Sequence, residues 1–377
     1  MKFIHTSDWH LGRTLAQESL LEDQAHLLEQ VFAAVRDSRA EALVIAGDIF
    51  DRPNPRREVV ALFNAFVARV YADTPAAIVA IAGNHDAPER ISFNAALHDP
   101  ARVLIRGPLS DRATPLLLQD AHGMVAISAL PFCEVFAARE AFADETILAP
   151  AQVIAAQVAE ARRHVPAGAR WIVAAHAFVE GGRNTETERP LTQVGGIETV
   201  PWRAFEGAHY VALGHLHRPQ SAGAAHIRYC GAWMGFGFDE AGEARSISLV
   251  DLAGDGAVSV QEIALAPLRP LKVIEGTLAE LIAGANGAGA ALIKAVLTDE
   301  GALVDAIGQL RQVYPHVLQL ERRRRLAPAA AAGRALARHD PPGLIAGFLE
   351  AVRGEGPSPE EAAVIAGVLA DLERREA

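Results

Sequence analysis

Short apolar runs that stop abruptly at polar side chains recur along this chain. Ala77-Ile78-Val79-Ala80-Ile81-Ala82 has the length and β-branching of a buried strand, and it runs into Gly83-Asn84-His85-Asp86. Phe3-Ile4-His5-Thr6 runs into Asp8-Trp9-His10, and Leu43-Val44-Ile45-Ala46 into Gly47-Asp48. Trp171-Ile172-Val173-Ala174-Ala175 runs into His176, and Tyr210-Val211-Ala212-Leu213 into Gly214-His215-Leu216-His217. Polar, metal-competent side chains at a strand end are odd for a core. They are ordinary for a site at the carboxyl ends of strands in an α/β sheet.

Between these strands the period changes to that of a helix. Residues 18–39 carry Leu20, Leu21, His26, Leu27, Leu28, Val31, Phe32 and Val35 on one side, and residues 56–72 carry Val59, Val60, Leu62, Phe63, Phe66, Val67 and Val70. The aromatic content of the second helix has core packing as its default explanation and a helix-to-helix dimer contact as the minority one. A short helix is expected near 88–98, and further helices near 134–141 and 150–164. The short apolar runs at 103–105, 115–118 and 124–127, split by Gly, Pro and Asp, suggest hairpins and an antiparallel portion of sheet. The runs at 227–231, 246–250 and 258–263 read as successive antiparallel strands. The long Gly-containing segment from Val179 to about Val200 reads as a functional or mobile loop. Two facing sheets with helices outside accommodate this pattern.

Near Pro267-Leu268-Arg269-Pro270 the pattern restarts as strand 271–275, helix 278–283, strand 291–297, helix 302–313 and strand 317–321. The chain therefore divides into a large domain over 1–265, a small α+β module over 266–325, an Ala-, Arg- and Pro-rich linker over 326–341 and a helix pair over 342–377. Leu344, Ile345, Phe348, Leu349 and Val352 stripe the first helix of the pair. Ser358-Pro359-Glu360-Glu361 starts the second, with Ser as N-cap and Glu reaching back. Val364, Ile365, Val368, Leu369 and Leu372 stripe it. Two such helices after a linker fold back on the protein or dock on a partner. The run Arg322-Arg323-Arg324-Arg325 is a solvated face by default and a phosphate contact by alternative.

Composition narrows the picture. With 377 residues, one core is exceeded, and no apolar run reaches the roughly 20 residues of a membrane helix. The N-terminus reads as a strand without a cleavable apolar region, which places the protein in the cytoplasm. Cys133 and Cys230 make neither a disulfide framework nor a thiolate metal site. A net charge of −11 leans against a nucleic-acid partner unless bound cations or another subunit supply the positive charge.

The strand-end donors are Asp8, His10, Asp48, Asn84, His176, His215 and His217. Oxygen and nitrogen donors without thiolate suit Mn²⁺, Fe²⁺ or Zn²⁺. Seven is too many for one tetrahedral site and fits two ions sharing a carboxylate, with Asp48 the natural bridge. Two ions about 3.5–4 Å apart activate a water and hold the attacking and leaving oxygens of a phosphoryl group. His85 remains over as a proton donor or charge stabiliser, with Asp86 expected to orient it.

The blocks Asp8-x-His10, Gly47-Asp48, Gly83-Asn84-His85-Asp86, His176 and Gly214-His215-x-His217 resemble the calcineurin-like metallophosphoesterase superfamily. The resemblance implies a four-layer α/β/β/α sandwich. It implies one metal held by Asp8, His10, Asp48 and His217, and a second held by Asp48, Asn84, His176 and His215. A narrower resemblance is carried by His5-Thr6-Ser7-Asp8-Trp9-His10-Leu11-Gly12, Ala46-Gly47-Asp48-Ile49-Phe50-Asp51, Ala212-Leu213-Gly214-His215-Leu216-His217 and Arg228-Tyr229-Cys230-Gly231. It is to the family of Mre-type DNA-repair nucleases that includes the bacterial SbcD proteins.

That family implies an Mn²⁺-dependent 3′-to-5′ exonuclease on duplex DNA ends and an endonuclease on hairpins, nucleoid-associated when on DNA. It implies an SbcC-type ATPase partner bound by the C-terminal helices, a capping domain, and a homodimer within a heterotetramer that uses the region of 56–72 and 88–98. After Gly231 the sequence departs from the family's usual Ser-Pro, reading Ala232-Trp233-Met234-Gly235-Phe236-Gly237-Phe238-Asp239-Glu240. A small-molecule or phosphoprotein phosphoesterase with the same ions is the first alternative, and a non-catalytic DNA-end scaffold the second.

Overall fold

In a computed structural model, residues 1–93, 95–109, 113–184, 192–193, 196–197, 199–284, 289–300, 303–323 and 341–376 are described. They fall into two compact units, Met1–Arg323 and Arg324–Ala377. The expected linker at 326–341 lies, except for its last residue, outside the described residues, as do Arg324, Arg325 and much of the 179–200 loop.

The first unit begins with strand β1 (Lys2–Thr6), a small hairpin of β2 (Thr14–Leu15) and β3 (Glu18–Ser19), helix α1 (Leu21–Asp37) and β4 (Ala42–Ile45). Then come α2 (Arg57–Asp73), β5 (Ala77–Ile81), the single turn α3 (Pro88–Ile91), β6 (Val103–Arg106), and the hairpin β7 (Leu116–Asp120) and β8 (Gly123–Leu130). Helices α4 (Val135–Phe142) and α5 (Pro150–Arg163) lead to β9 (Arg170–His176). The short pair β10 (Thr192–Gln193) and β11 (Gly196–Ile197) precedes β12 (Tyr210–Gly214). The remaining strands of the two large sheets are β13 (Gln220–Ala222), β14 (Ala224–Tyr229), β15 (Arg245–Leu252) and β16 (Val258–Leu265).

These strands make two six-stranded sheets, ordered β16-β15-β1-β4-β5-β6 and β13-β14-β12-β9-β8-β7. The apolar residues sort by face. Phe3, Val44, Val79, Ile127, Ile172 and Ala212 pack between the sheets. Ile4, Leu43, Ile45 and Ile78 pack under Leu27, Val31, Phe63 and Phe66 of α1 and α2. Trp171, Val173 and Val211 pack under Ile154 and Val158 of α5. Strands buried on both faces are continuous hydrophobic runs, as the sequence shows. The result is the four-layer α/β/β/α arrangement.

Three local expectations change. The 103–105 segment is not part of a hairpin: β6 runs parallel to β5, because the 88–97 segment carries the chain back across the sheet first. β14 is antiparallel to β13 but parallel to β12, in a different sheet from β15. α1 starts only at Leu21, after the β2–β3 hairpin, and His26 is not buried, whereas Asp23 and Gln24 are. Two of the three aromatic residues of α2, Phe63 and Phe66, serve the core, where Trp9 meets Phe66 edge-on at 5.3 Å and stacks on Trp233 at 5.0 Å, while Tyr71 is exposed.

Residues 271–322 form β17 (Leu271–Gly276), α6 (Leu278–Ala283), β18 (Leu292–Leu297), α7 (Ala306–Arg311) and β19 (Val317–Arg322), with the three strands in one all-parallel sheet. Arg269, just before it, is anchored to the buried Asp23 at 2.6 Å. Arg322 donates to the Asp299 carbonyl and Arg323 pairs with Glu275, so this half of the arginine run is engaged at the module's own surface.

The second unit holds α8 (Pro341–Arg353) and α9 (Pro359–Glu376). Ser358 and Glu361 make the reciprocal cap, and Arg353 clamps Glu361 across the turn. Among the described residues no helix is long and apolar enough to cross a membrane.

Candidate metal centre

The strand ends of both sheets converge on one buried cluster. β1, β4 and β5 deliver Asp8, His10, Asp48 and Asn84 from one sheet; β9 and β12 deliver His176, His215 and His217 from the other. Asp48 lies at the middle. Its Oδ2 is 3.5 Å from His176 Nε2, 3.7 Å from His10 Nε2 and 4.0 Å from His85 Nε2. His10 Nε2 and His217 Nε2 are 3.2 Å apart. Asn84 Oδ1 stands 2.9 Å from His176 Nε2 and 3.2 Å from His215 Nδ1. Asp8, His10 and His217 form one compact donor group, and Asp8, Asp48 and His176 another.

The backbone is bent to achieve this. Asp8, His10, Asp48 and His215 all have positive φ, of 54°, 43°, 51° and 107°. Such conformations cost about 1–3 kcal/mol each in non-glycine residues and cluster at functional sites. Hydrogen bonds between the loops hold them: Asp8 N–H donates to the Gly47 carbonyl at 3.0 Å, and His10 N–H to the Asp48 carbonyl at 2.9 Å. The carboxylates join in. Asp8 Oδ1 accepts from His215 N–H at 3.0 Å, and Asp48 Oδ1 accepts from His85 N–H at 2.9 Å. The motif glycines follow from the same crowding. A Cβ on Gly83 would lie 2.2 Å from Asp48 Oδ1, and one on Gly214 would lie 1.9 Å from the Ala46 carbonyl oxygen.

Protonation is constrained too. The Ala46 carbonyl, 2.9 Å from His176 Nδ1, accepts only, so Nδ1 carries the proton and Nε2 faces Asp48 with a bare lone pair. Burial, which outweighs the attraction of Asp48, holds His176 below its ordinary value. Burial, reinforced by His176, pushes His215 down to about 3. Burial and the neighbouring histidines, His217 first, hold His10 well below its ordinary value. Neutral imidazoles and carboxylates thus aim acceptor atoms at one another with little to donate between them, which is the environment a cation resolves. An all-oxygen-and-nitrogen donor set of this kind fits divalent ions.

His85 stands at the edge of the cluster, and the group that orients its ring is not Asp86. Its Nδ1 is held by the Asp51 carbonyl at 3.0 Å. Asp86 does not orient it. The Asp86 carboxylate accepts from Ile49, Phe50 and Gly83 N–H at 3.1, 2.8 and 2.9 Å, tying the loop after β4 to the loop after β5. Side chains of sequence neighbours point apart, and three backbone donors outcompete one ring for the carboxylate. Burial and the Asp48 charge push Asp86 up to about 7, against those three donors.

Residues that the strand-end pattern missed complete the surroundings. Gln24 Nε2 donates to the His10 carbonyl at 2.8 Å, and its Oε1 accepts from Gly12 N–H at 2.8 Å, fixing the loop after β1 from the first turn of α1. Asp51 Oδ1 takes Arg13 Nη1 at 3.0 Å and lies 4.0 Å from His10 Nδ1. Asp51 closes the Gly47–Asp51 block, so adjacency was its one available signal. Phe236 meets His10 edge-on at 5.1 Å and His217 at 5.6 Å.

Comparison with known proteins agrees with this geometry. Residues 1–219 match the family model described as calcineurin-like phosphoesterase. Residues 267–353 match a second model, described as type 5 capsule protein repressor C-terminal domain, which runs from the three-stranded module into α8. The chain is 31% identical over 324 residues to the SbcD protein of the SbcCD nuclease of Staphylococcus epidermidis, covering 85% of each chain. The chain belongs to the SbcD family of calcineurin-like phosphoesterases. Phosphoesterases of this family use divalent metal ions, and the Asp and His cluster is able to hold them.

Proposed function

We propose that this chain is a metal-dependent DNA nuclease subunit that processes duplex ends and hairpins together with an SbcC-type ATPase. The observation that carries the reading is the buried convergence of acceptor atoms around Asp48 Oδ2. It is supported by similarity to a relative named as part of a nuclease. Asp8, His10, Asp48 and His217 would hold one ion, and Asp48, Asn84, His176 and His215 a second, with Mn²⁺ the ion tested first. Bound there, two such ions supply an acidified water and charge neutralisation at a phosphodiester.

The chain's own groups do the rest. Asp48 Oδ1 holds His85 N–H, and the Asp51 carbonyl holds His85 Nδ1, so Nε2 is the atom that faces the cluster. Because the Asp51 carbonyl takes the Nδ1 proton, it is the doubly protonated ring that would pass a proton from Nε2 to the departing oxygen, or stabilise its charge. The Asp and His side chains of this set are almost wholly enclosed and Asn84 is half-buried, which strengthens the electrostatic contacts among them.

The same reading takes 1–265 as the nuclease domain, 266–325 as a capping domain and 342–377 as the partner-binding helix pair after a linker at 326–341. Phe348, Val352, Val364, Val368 and Leu372 are at least half exposed on that pair, which supports docking on the ATPase. An open apolar groove of about 1070 Å³, lined by Phe63, Val67, Tyr71, Phe93 and Leu97, supports a homodimer contact through α2 and the 88–97 segment. The protein would act in the cytoplasm, on the nucleoid.

The test is cleavage of a hairpin-ended linear duplex with Mn²⁺, with and without the ATPase and ATP. Partner-stimulated opening that Asp48→Ala abolishes is the expected result. Hydrolysis of a small phosphodiester without any DNA cleavage would move the substrate to the small-molecule alternative.

A further inference from the structure

Glu240 is a buried acid to which the ligand assignment gives no task. Its side chain has no exposed surface, and it reaches Arg245, Phe236 and His217. Oε2 accepts from Arg245 Nη2 at 2.7 Å and from Phe236 N–H at 3.0 Å. Oε1 stands 3.6 Å from His217 Nδ1. Arg245 is buried as well, and its Nη1 donates to the His217 carbonyl at 3.0 Å. The same carbonyl accepts from Ala232 N–H at 3.0 Å.

A buried ion pair is a poor source of stability, because desolvation offsets most of the attraction. This pair grips one residue from both ends. Arg245 holds the main chain of His217, and Glu240 faces its ring. The Phe236 ring, whose amide the same carboxylate holds, packs edge-on against both His217 and His10.

We propose that Glu240 is a positioning residue for His217, keeping the proton on Nδ1 so that Nε2 faces Asp8 and His10 with a free lone pair. A carboxylate 3.6 Å from Nδ1 is too far for a hydrogen bond, yet in a dry interior its charge still favours N–H on that side. The opposite tautomer sets a lone pair against the carboxylate. Metal-ligating histidines commonly have such an outer partner, and losing it loosens metal binding. Arg245 offsets the Glu240 charge, which leaves the carboxylate to orient the ring rather than compete for the cation. The inference rests on the metal-centre reading above.

The test is Mn²⁺ titration of the full-length chain freed of metal, followed by the paramagnetic resonance signal of free Mn²⁺. The wild type takes up two ions. Glu240→Gln keeps the shape and removes the charge, and one of the two ions binds about 10–100-fold more weakly. Glu240→Asp, which keeps the charge, recovers part of that loss. Glu243→Gln removes the other carboxylate on Arg245, 3.2 Å from Nη2, and changes neither ion. If Glu240→Gln does not fold, the double change Glu240→Gln with Arg245→Gln leaves no charge unpaired and is titrated in its place, with the same selective loss expected.

Two unchanged affinities in the variant overturn the role of Glu240 while the metal centre stands. An equal loss at both ions overturns it as well, since general loosening does that. A wild type that binds no Mn²⁺ overturns the metal-centre reading itself.

Discussion

The metal centre and the C-terminal helix pair break the usual partition of side chains in opposite directions. At the centre, Asp8, His10, Asp48, His176, His215 and His217 are buried, though charged and polar groups belong in water. On the helix pair, Phe348, Val352, Val364 and Val368 are more than half exposed, though apolar groups belong inside. On the proposed reading, cations at the convergent acceptors would relieve the first, and another apolar surface against the stripe the second. If that reading holds, one chain separates chemistry from attachment, and each half can be tested without the other.

The largest effect is expected at Asp48. Asp48→Ala removes the carboxylate at the middle of the cluster and the acceptor for His85 N–H. Mn²⁺ uptake and phosphodiester hydrolysis both fall to background in titration and turnover assays, while the helix pair still captures the ATPase. Loss of capture by this variant would mean that the two regions are not separable. His85→Ala comes next. His85 lies at the cluster edge, so Mn²⁺ uptake stays near wild type while turnover drops about 10²–10⁴-fold, the range for a positioned acid or base. Unchanged turnover would remove it from the reaction.

Removal of 342–377 sharpens the comparison from the other side. Hydrolysis of a simple diester is retained, and co-purification with the ATPase is lost. Co-purification that survives the truncation would place attachment elsewhere.

How much of this is legible in the sequence follows from what a linear pattern encodes. Strand ends are legible because an apolar run terminated by Gly and a polar residue is a local signal, and all seven proposed ligands sit on such ends. Strand direction at sheet edges is not. Nothing in Val103–Arg106 distinguishes a parallel partner from a hairpin; the path of the 88–97 segment decides it. The role of Asp86 is hidden because adjacency to His85 says nothing about where a carboxylate points. Glu240 is invisible because its partners, Arg245 and His217, meet it only after folding. Gln24 looks like the polar side of a helix and instead faces inward to hold the His10 carbonyl.

His5 gives the smallest effect and separates two kinds of buried polar group. It is as buried as the proposed ligands, but the protein satisfies it unaided. The Leu213 carbonyl at 3.2 Å takes the Nε2 proton, and the Tyr210 hydroxyl at 3.0 Å donates to Nδ1. Burial pushes its pKa down to about 3, against the Leu213 carbonyl, which favours the charged form. The folded state therefore binds fewer protons than the unfolded chain between the ordinary histidine value of about 6.5 and about 3. The neutral ring's contribution to stability is complete above about 6.5 and is lost as pH falls through that window. His5→Gln should flatten the acid limb of the metal-free protein's stability curve by up to about 1.4 kcal/mol per pH unit. Urea unfolding at a series of pH values measures it. Added Mn²⁺ should leave that difference between variant and wild type in place, because the His5 bonds involve no proposed ligand. A slope difference that vanishes with Mn²⁺ would join His5 to the metal centre and erase the distinction between polar groups the fold satisfies and those that need an ion.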